Sequence, residues 1–209
     1  MRAAGLISGL LAAIAVCLAL PAAVALGEDA KSAVAPLATV PEFSLADAQG
    51  VIHTRGEWRA AKAVVLIFLG SECPVSNGYS PAFRQLAEKY AERGVTVIGV
   101  HCDQTLSAEA AAAHAKEYGL PFATLLDAGQ VLARACGVHI TPEAVVASAG
   151  GEVVYRGRID NKYSLDGKRR DEANVFDLVA ALDATLAGMS PAVRETKAFG
   201  CPLPRITGK

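Results

Sequence analysis

The sequence predicts an α/β sandwich, in which a central mixed sheet carries helices on both faces. Two apolar runs, "AVVLIFLG" at 63–70 and "VTVIGVHC" at 95–102, are typical of strands that are buried on both faces. A helical pattern follows each run, which is the order expected for parallel strands joined by helices. A later apolar pair separated by "AGG" predicts a hairpin, so the sheet should also contain antiparallel strands.

The N-terminus has the pattern of an export signal over residues 1–25. Arg2 gives a positive start, "LISGLLAAIAVCLAL" is an apolar core, and Ala23-Val24-Ala25 is a small-residue cleavage site. The run is short for a membrane span, so cleavage is favoured over an uncleaved membrane anchor. Residues 26–40 lack apolar periodicity and are predicted to be a linker. The protein is therefore predicted to be periplasmic or secreted.

The folded domain is predicted over residues 41–188. Its elements in order are a hairpin around Gln49-Gly50, the strand 63–70, a helix ended by Gly94, the strand 95–102, a helix capped by Ser107, a strand at 121–127, a short helix at 129–137, and the hairpin 143–157. A closing helix is predicted from apolar residues at helical spacing, namely Val175, Leu178, Val179, Leu182 and Leu186. The remaining tail, 189–209, has no periodicity and carries one cysteine.

Composition narrows the class of function. The formal net charge is −1 and no long basic run is present, so nothing indicates nucleic-acid binding. Cys17 lies in the apolar leader, and signal cleavage leaves Cys73, Cys102, Cys136 and Cys201. Their wide spacing does not fit a zinc finger or a small disulfide scaffold. It fits a globular enzyme with one or two redox-active thiols, for which no cofactor is predicted.

Cys73 is the candidate nucleophile. It lies just beyond the end of a central strand, where open α/β sheets place their ligand sites, and Pro74 suits the first turn of a following helix. The unpaired N–H groups at a helix start favour a thiolate, which is the nucleophilic form. The alternative is an inert buried cysteine, because free cysteine is among the most buried residue types.

The motif "FLGSECPVS" resembles the redox site of the thioredoxin-like superfamily, and "TPEAVV", "VYRGRIDNKY" and "GCPL" resemble its secreted bacterial redoxins of the AhpC/TSA type. The resemblance implies a thioredoxin-like sandwich with Cys73 attacking. It puts Ser76 at the resolving position, Pro81 at the kink of the first long helix and Thr141-Pro142 in a cis-proline loop. Pro74, Ser76, Thr141 and Pro142 would then line the substrate groove. Gly70 replaces the threonine of peroxiredoxins, and Ser76 replaces the second cysteine of thioredoxin.

Three groups remain as the resolving partner of Cys73. An external thiol would support a monothiol cycle. Cys201 is the second possibility, since the closing helix would span roughly 20 Å and an extended tail up to about 40 Å, enough to return to the site. Cys102 and Cys136 are the third, although core packing is the ordinary role of such cysteines.

The predicted function is an exported thiol-dependent oxidoreductase that performs thiol–disulfide exchange or peroxide reduction. Its partners would be protein thiols and disulfides or small peroxides, with an external thiol as reductant. One alternative is a copper-binding module that recruits ligands from Cys73, His101, Cys102, His139 and Cys201. Another is a non-catalytic interaction domain. His53 and His114 are predicted to be surface residues, and a basic loop at 156–170 is predicted to lie beside Cys73.

Overall fold

The structure, a computed structural model, describes residues 37–206 of the 209-residue chain. The predicted export signal and residues 26–36 of the predicted linker lie outside the described residues. Among residues 37–206, no helix has both the length and the apolar character that a membrane crossing requires.

Nine strands and five α-helices make up the described part of the chain. The strands are β1 Ser44–Ala46, β2 Ile52–Thr54, β3 Ala63–Leu69, β4 Val95–His101, β5 Thr124–Leu126, β6 Ile140–Thr141, β7 Glu143–Ala147, β8 Val153–Gly157 and β9 Cys201–Pro202. The helices are α1 Pro74–Gly78, α2 Ser80–Ala91, α3 Ala108–Glu117, α4 Val131–Cys136 and α5 Asp177–Leu186. A 3-10 helix at Arg55–Ala60 joins β2 to β3.

The central sheet has five strands in the order β5-β4-β3-β7-β8. The first three are parallel to one another, while β7 runs antiparallel to both β3 and β8. All seven residues of β3 are buried, as the unbroken apolar run requires. The predicted mixed sheet is thereby confirmed. Cys73 lies just beyond the C-terminal end of β3, the central strand.

The core has two layers because alternate side chains of β3 point to opposite faces. Val64, Leu66 and Phe68 pack with Trp58 and with Leu132 of α4. Val65 and Ile67 pack on the other face, against large side chains of α2 and α5 such as Phe83, Tyr90 and Leu182. Helices therefore cover both faces of the sheet, as predicted.

The helix after Cys73 is divided at Tyr79 into α1 and α2, beside Pro81, where the family resemblance predicts a kink. Pro81 has no N–H to donate to the Asn77 carbonyl four residues earlier, so a continuous helix loses that hydrogen bond. The Ser80 hydroxyl donates to the Asn77 carbonyl instead, at 2.9 Å. The Tyr79 hydroxyl donates to Asp160 Oδ1 at 2.6 Å, which fixes the break against the body of the domain.

The two ends of the domain also differ in detail from the prediction. Residues 37–40, predicted as linker, lie along the β7–β8 hairpin, where the Leu37 N–H donates to the Val153 carbonyl and the Val40 N–H to Gly151. The Val40 side chain is fully buried. At the other end, α5 begins at Asp177, so Val175 precedes the helix and its side chain is 44% exposed.

The tail returns across the sheet edge after α5. The Thr196 N–H donates to the Arg156 carbonyl at 3.1 Å beside β8, and β9 then pairs antiparallel with β6. The tail therefore brings Cys201 back to the C-terminal end of β3.

Candidate active site

Cys73 is the N-cap of α1 and is nearly buried, with 3% of its surface exposed. Its Sγ accepts from the Ser76 N–H at 3.5 Å and donates to the Thr141 carbonyl at 3.3 Å. The first contact is the one that a helix start offers to a thiolate. The two contacts hold the sulfur between the α1 turn and the loop before β7.

Ser76 faces inward rather than toward a groove. Its side chain is 1% exposed, and its Oγ accepts from the Gly70 N–H at 3.3 Å. The hydroxyl therefore ties the α1 turn to the end of β3, while Pro74 of the same turn is exposed. Of these two predicted groove residues, only Pro74 presents a side chain to the surface.

The Thr141–Pro142 peptide bond is cis, as predicted. Thr141 has two contacts in the site, because its carbonyl accepts from Cys73 and its Oγ1 donates to the Cys201 carbonyl at 3.4 Å. Thr141 and Pro142 are both buried. Thr141 thus contacts Cys73 through its backbone carbonyl and Cys201 through its side chain.

Cys201 lies directly opposite Thr141 in the β6–β9 pair, and the Cys73 thiol donates to the carbonyl of the same Thr141, so this residue brings the two cysteines together. Both thiols are free. Burial and the neighbouring Cys73 raise the pKa of Cys201 to about 11, so it remains protonated at neutral pH. The sequence argument that the tail can reach back to Cys73 agrees with this geometry.

A groove of about 180 Å³ opens beside the two sulfurs. Its walls come from the loop after β3, the end of β4, Thr141 and the tail: Leu69, Gly70, Ser71, Glu72, Cys73, His101, Cys102, Asp103, Thr141, Cys201, Pro202, Leu203 and Pro204. Cys73 and Cys201 both lie in the wall, so a small molecule in the groove would meet both thiols.

Cys102 and Cys136 are buried core residues. Burial, as the largest cause, raises the pKa of both thiols, that of Cys136 to about 12. Cys102 points at the buried carboxylate of Asp127, with 4.0 Å between sulfur and oxygen. Neither thiol has the helix-start contact that Cys73 makes, and burial holds both protonated.

Two histidines lie beside the site: His101, which the sequence placed among the candidate copper ligands, and His114, whose predicted surface position is wrong. His114 is 7% exposed, and its Nε2 donates to Asn77 Oδ1 at 2.8 Å, while Asn77 Nδ2 donates to the Ser71 carbonyl at 2.9 Å. The centroid of the His114 ring lies 5.2 Å from that of the buried His101 ring. Asn77 and His114 therefore brace the loop that carries Cys73.

Burial sets the electrostatics of these histidines. It lowers the pKa of His101 to about 4, with His114 as the second cause, and it also lowers the pKa of His114. Both rings are therefore neutral at pH 7. Their spacing in sequence gave no signal, because the two residues come from different elements and meet only through the fold.

The basic loop is partly neutralised by its own neighbours. Arg156 pairs with Glu195, and Arg158 Nε donates to Asp177 Oδ2 at 2.7 Å. Tyr163 of this loop packs against Tyr79, with 5.2 Å between ring centroids, and stacks on Phe199 of the tail. The loop thus supports the tail near the site through aromatic contacts.

Glu143 follows Pro142 and is buried opposite Phe68 of β3. Burial raises its pKa to about 7, against the opposing effect of Arg156. The residue is a buried titratable group next to the cis-proline loop, and the sequence did not single it out.

Within residues 37–206, no three His, Cys, Asp or Glu side chains gather in a way that would hold a metal ion. The ligand set considered from the sequence includes Cys73, Cys102 and Cys201, which share the groove with His101, while His139 is not among its lining residues.

A mixed five-stranded sheet, a cysteine at the strand–helix junction and a neighbouring cis-proline loop together define a thioredoxin-like redoxin. The chain belongs to the AhpC/TSA family, whose family model matches residues 36–156. The family resemblance predicted from the sequence is confirmed.

Named relatives are oxidoreductases of two kinds. Peroxiredoxin Q of Sedum lineare is 33% identical over 100 residues, which cover 48% of this chain and 52% of that protein. The thiol-disulfide oxidoreductase ResA of Geobacillus kaustophilus is 31% identical over 124 residues, or 59% of this chain and 69% of ResA. The chain therefore spans about half the length of the peroxiredoxin Q relatives that it matches.

Solved structures support the fold. A hypothetical protein of Sinorhizobium meliloti superposes with a TM-score of 0.72 at 27% identity, covering 84% of this chain and 97% of that one. A putative thiol:disulfide interchange protein DsbE from Chlorobium tepidum superposes with a TM-score of 0.52 at 21% identity, covering 59% and 84%. The second likeness shows the fold alone.

Proposed function

We propose that this protein is an exported thiol-dependent oxidoreductase in which Cys73 is the nucleophile and Cys201 is the resolving thiol. The observation that carries the proposal is the placement of both cysteines in the wall of one groove, where Cys73 is hydrogen bonded to Thr141 and the β6–β9 pair holds Cys201 opposite the same residue. The catalytic unit would comprise the domain at 41–188 together with the tail.

The roles of the two cysteines follow from their surroundings. Cys73 has the Ser76 N–H aimed at its sulfur, which stabilises a developing thiolate. Cys201 keeps its proton at neutral pH and is the more exposed of the two. Cys73 would therefore attack first, and Cys201 would react once Cys73 is oxidised.

With a peroxide, the Cys73 thiolate attacks one oxygen of ROOH, the O–O bond breaks, and the alkoxide takes a proton to leave as ROH. Cys73 is then a sulfenic acid. The Cys201 sulfur attacks it, the S–O bond breaks, and water leaves with the Cys201 proton. The product is a Cys73–Cys201 disulfide.

With a disulfide RSSR, the Cys73 thiolate displaces one RS⁻ and forms a mixed disulfide. Cys201 then loses its proton and displaces the second RS⁻, which gives the same Cys73–Cys201 disulfide. In both cycles two equivalents of an external thiol restore the two thiols and are themselves oxidised to a disulfide.

Export is part of the proposal and is supported by the leader pattern at residues 1–25. An oxidising compartment allows a Cys73–Cys201 disulfide to persist until a dedicated thiol partner reduces it. The size of the protein purified from a host that processes export signals would test this point, since cleavage after Ala25 removes the leader.

Non-reducing peptide mapping tests the central claim. After one equivalent of hydrogen peroxide, the mature protein should contain a Cys73–Cys201 disulfide, and the Cys102→Ser/Cys136→Ser double variant should form the same bond. In Cys201→Ser a sulfenic acid on Cys73 should accumulate and react with dimedone. A disulfide that includes Cys102 or Cys136, or four thiols that survive oxidation, would refute the assignment.

A further inference from the structure

We propose that residues 196–204, the strap, determine which substrates reach Cys73: the seated strap admits small oxidants and excludes extended polypeptides. The inference rests on the proposed function, because it takes Cys73 as the reacting thiol. It adds the substrate class and the segment that selects it.

The strap fills the backbone edge that lies nearest the thiol. An unpaired strand edge is the place where an extended polypeptide adds itself by main-chain hydrogen bonding. Here Thr141 of β6 already faces Cys201, Ile140 faces Pro202, and the Leu203 N–H donates to the His139 carbonyl at 3.0 Å. A substrate chain would need the same edge, so it competes with the strap.

Polar contacts hold the strap at both ends. At its start, Thr196 Oγ1 lies 2.8 Å from the Tyr155 hydroxyl and accepts from the Arg158 N–H at 3.0 Å. At its end, Gln130 Nε2 donates to the Pro204 carbonyl at 2.7 Å. The strap is therefore part of the folded edge, and its removal requires these bonds to break together.

The middle of the strap approaches the cis-proline loop as closely as a main chain can. A Cβ on Gly200 would collide with the Thr141 carbonyl oxygen and would also lie 3.1 Å from Pro142 Cδ. Position 200 therefore tolerates only glycine while the strap is seated. No positive φ is recorded there, so an alanine at position 200 acts through this collision and not through backbone strain.

The opening that remains is small. The groove beside Cys73 has about 180 Å³, which is less than the roughly 300–1,000 Å³ of pockets that hold drug-sized ligands. Hydrogen peroxide, a small alkyl hydroperoxide or a short-chain disulfide fits this space. Cys73 itself is 3% exposed, so a polypeptide cannot reach its sulfur without displacing the strap.

The test compares two disulfides that differ in size and not in chemistry. Hydroxyethyl disulfide is the small probe, and an unstructured synthetic peptide closed by one disulfide is the large probe. The single-turnover rate at which Cys73 attacks each probe to form a mixed disulfide, a step that does not use Cys201 of the strap, is measured with the full mature protein, with Gly200→Ala, and with Gly150→Ala as a matched control, since a Cβ at exposed Gly150 meets only ordinary contact. Trypsin cleavage after Lys197 reports whether the strap has left its seat.

In the wild-type protein and in Gly150→Ala, Cys73 should form the mixed disulfide with the small probe at least tenfold faster than with the peptide. Gly200→Ala should expose Lys197 to trypsin and raise the peptide rate at least tenfold, with less than a threefold change for the small probe. If Gly200→Ala does not fold, the Gln130→Ala/Thr196→Val variant releases the strap from its ends and must give the same change.

Two results would overturn the inference. Equal wild-type rates for both probes would show that the seated strap excludes nothing, although Cys73 would remain the redox thiol. An unchanged peptide rate in a variant whose Lys197 is readily cleaved would do the same. Failure of Cys73 to react with either probe and with hydrogen peroxide would instead refute the proposed function on which the inference rests.

Discussion

Gly70 and Thr141 lie so close together that a Cβ on Gly70 would be 2.7 Å from Thr141 Oγ1. The same atom would lie 2.9 Å from Cys73 Cβ. Both distances are shorter than real Cβ contacts allow. The threonine that peroxiredoxins are expected to carry at this position therefore has no room in the present backbone, and glycine lets the loop before β7 close against the thiol.

Gly70→Ala is expected to push Thr141 away from Cys73. We predict a loss of about 1–3 kcal/mol in the free energy of unfolding, as for other overpacked sites, and at least a tenfold slower reaction of Cys73 with hydrogen peroxide. Urea unfolding and single-turnover peroxide consumption measure the two effects. Gly129→Ala is the control, since its Cβ would meet Val131 at an ordinary 3.6 Å. A wild-type rate in Gly70→Ala would contradict the prediction.

Ser76→Ala separates a structural role from a substrate-binding role. The Ser76 hydroxyl is buried and bonded to the Gly70 N–H, so its loss should lower the free energy of unfolding by about 1 kcal/mol. The KM for a small disulfide should change less than twofold, because the side chain does not reach the groove. Steady-state kinetics and urea unfolding test this, with exposed Ser44→Ala as control. A large rise in KM would restore Ser76 as a groove residue.

Glu143 makes the protein less stable as the pH rises. Its folded-state pKa of about 7 is above the ordinary carboxyl value of 4.5, so the folded state binds the extra proton between these pH values. The stabilising effect is complete below pH 4.5 and is lost by about pH 7, which amounts to roughly 3 kcal/mol. Glu143→Gln should therefore gain stability over the wild type at pH 8 relative to pH 5.

Urea unfolding at the two pH values measures this difference, and exposed Glu152→Gln is the matched control. If Glu143→Gln and the wild type show the same pH dependence, the buried carboxyl is not protonated in the folded protein.

His101 makes the protein less stable as the pH falls. Its folded-state pKa of about 4 is below the ordinary value of 6.5, so the unfolded chain binds the extra proton between pH 6.5 and 4. Its contribution is complete above pH 6.5 and is lost as the pH falls to about 4, again by roughly 3 kcal/mol. His101→Phe should reduce the slope of the unfolding free energy against pH between pH 6.5 and 4, whatever the absolute stability of the variant.

The slope of unfolding free energy against pH, measured between 6.5 and 4, is the readout for His101. Exposed His139→Asn should keep the wild-type slope. A wild-type slope in His101→Phe would mean that the ring is already protonated in the folded state.

Local patterns in the sequence were sufficient to predict the central sheet. The unbroken apolar run at β3 required burial on both faces, and Ser107 begins α3 with the predicted cap, its Oγ accepting from the Ala110 N–H at 3.2 Å. The break at Tyr79 lies beside Pro81, which the family resemblance gives as the kink proline of this helix, whereas the apolar spacing across Phe83 and Tyr90 is helical and does not show the break. Such spacing reports which face is buried and not where the backbone bonds are interrupted.

The residues of the site also fall into those that the sequence predicted and those that it did not. Cys73 and Thr141-Pro142 were predicted because each lies within a short local motif. His114 was placed on the surface, but it is buried where α3 meets other elements, with its Nε2 donating to Asn77 Oδ1 and its ring beside that of His101. The inward direction of Ser76 depends on the bond to Gly70, a contact between two elements that residue type alone does not reveal.

The pairing of Cys201 with Thr141 has a kinetic consequence for the proposed cycle. A thiol held on the same chain meets oxidised Cys73 at an effective concentration that dilution of the protein does not change. The closing of the disulfide is then a first-order event, while its reopening by an external thiol remains second order. The protein would therefore rest in the oxidised form wherever reductant is scarce and would return to the dithiol in proportion to the reductant supplied.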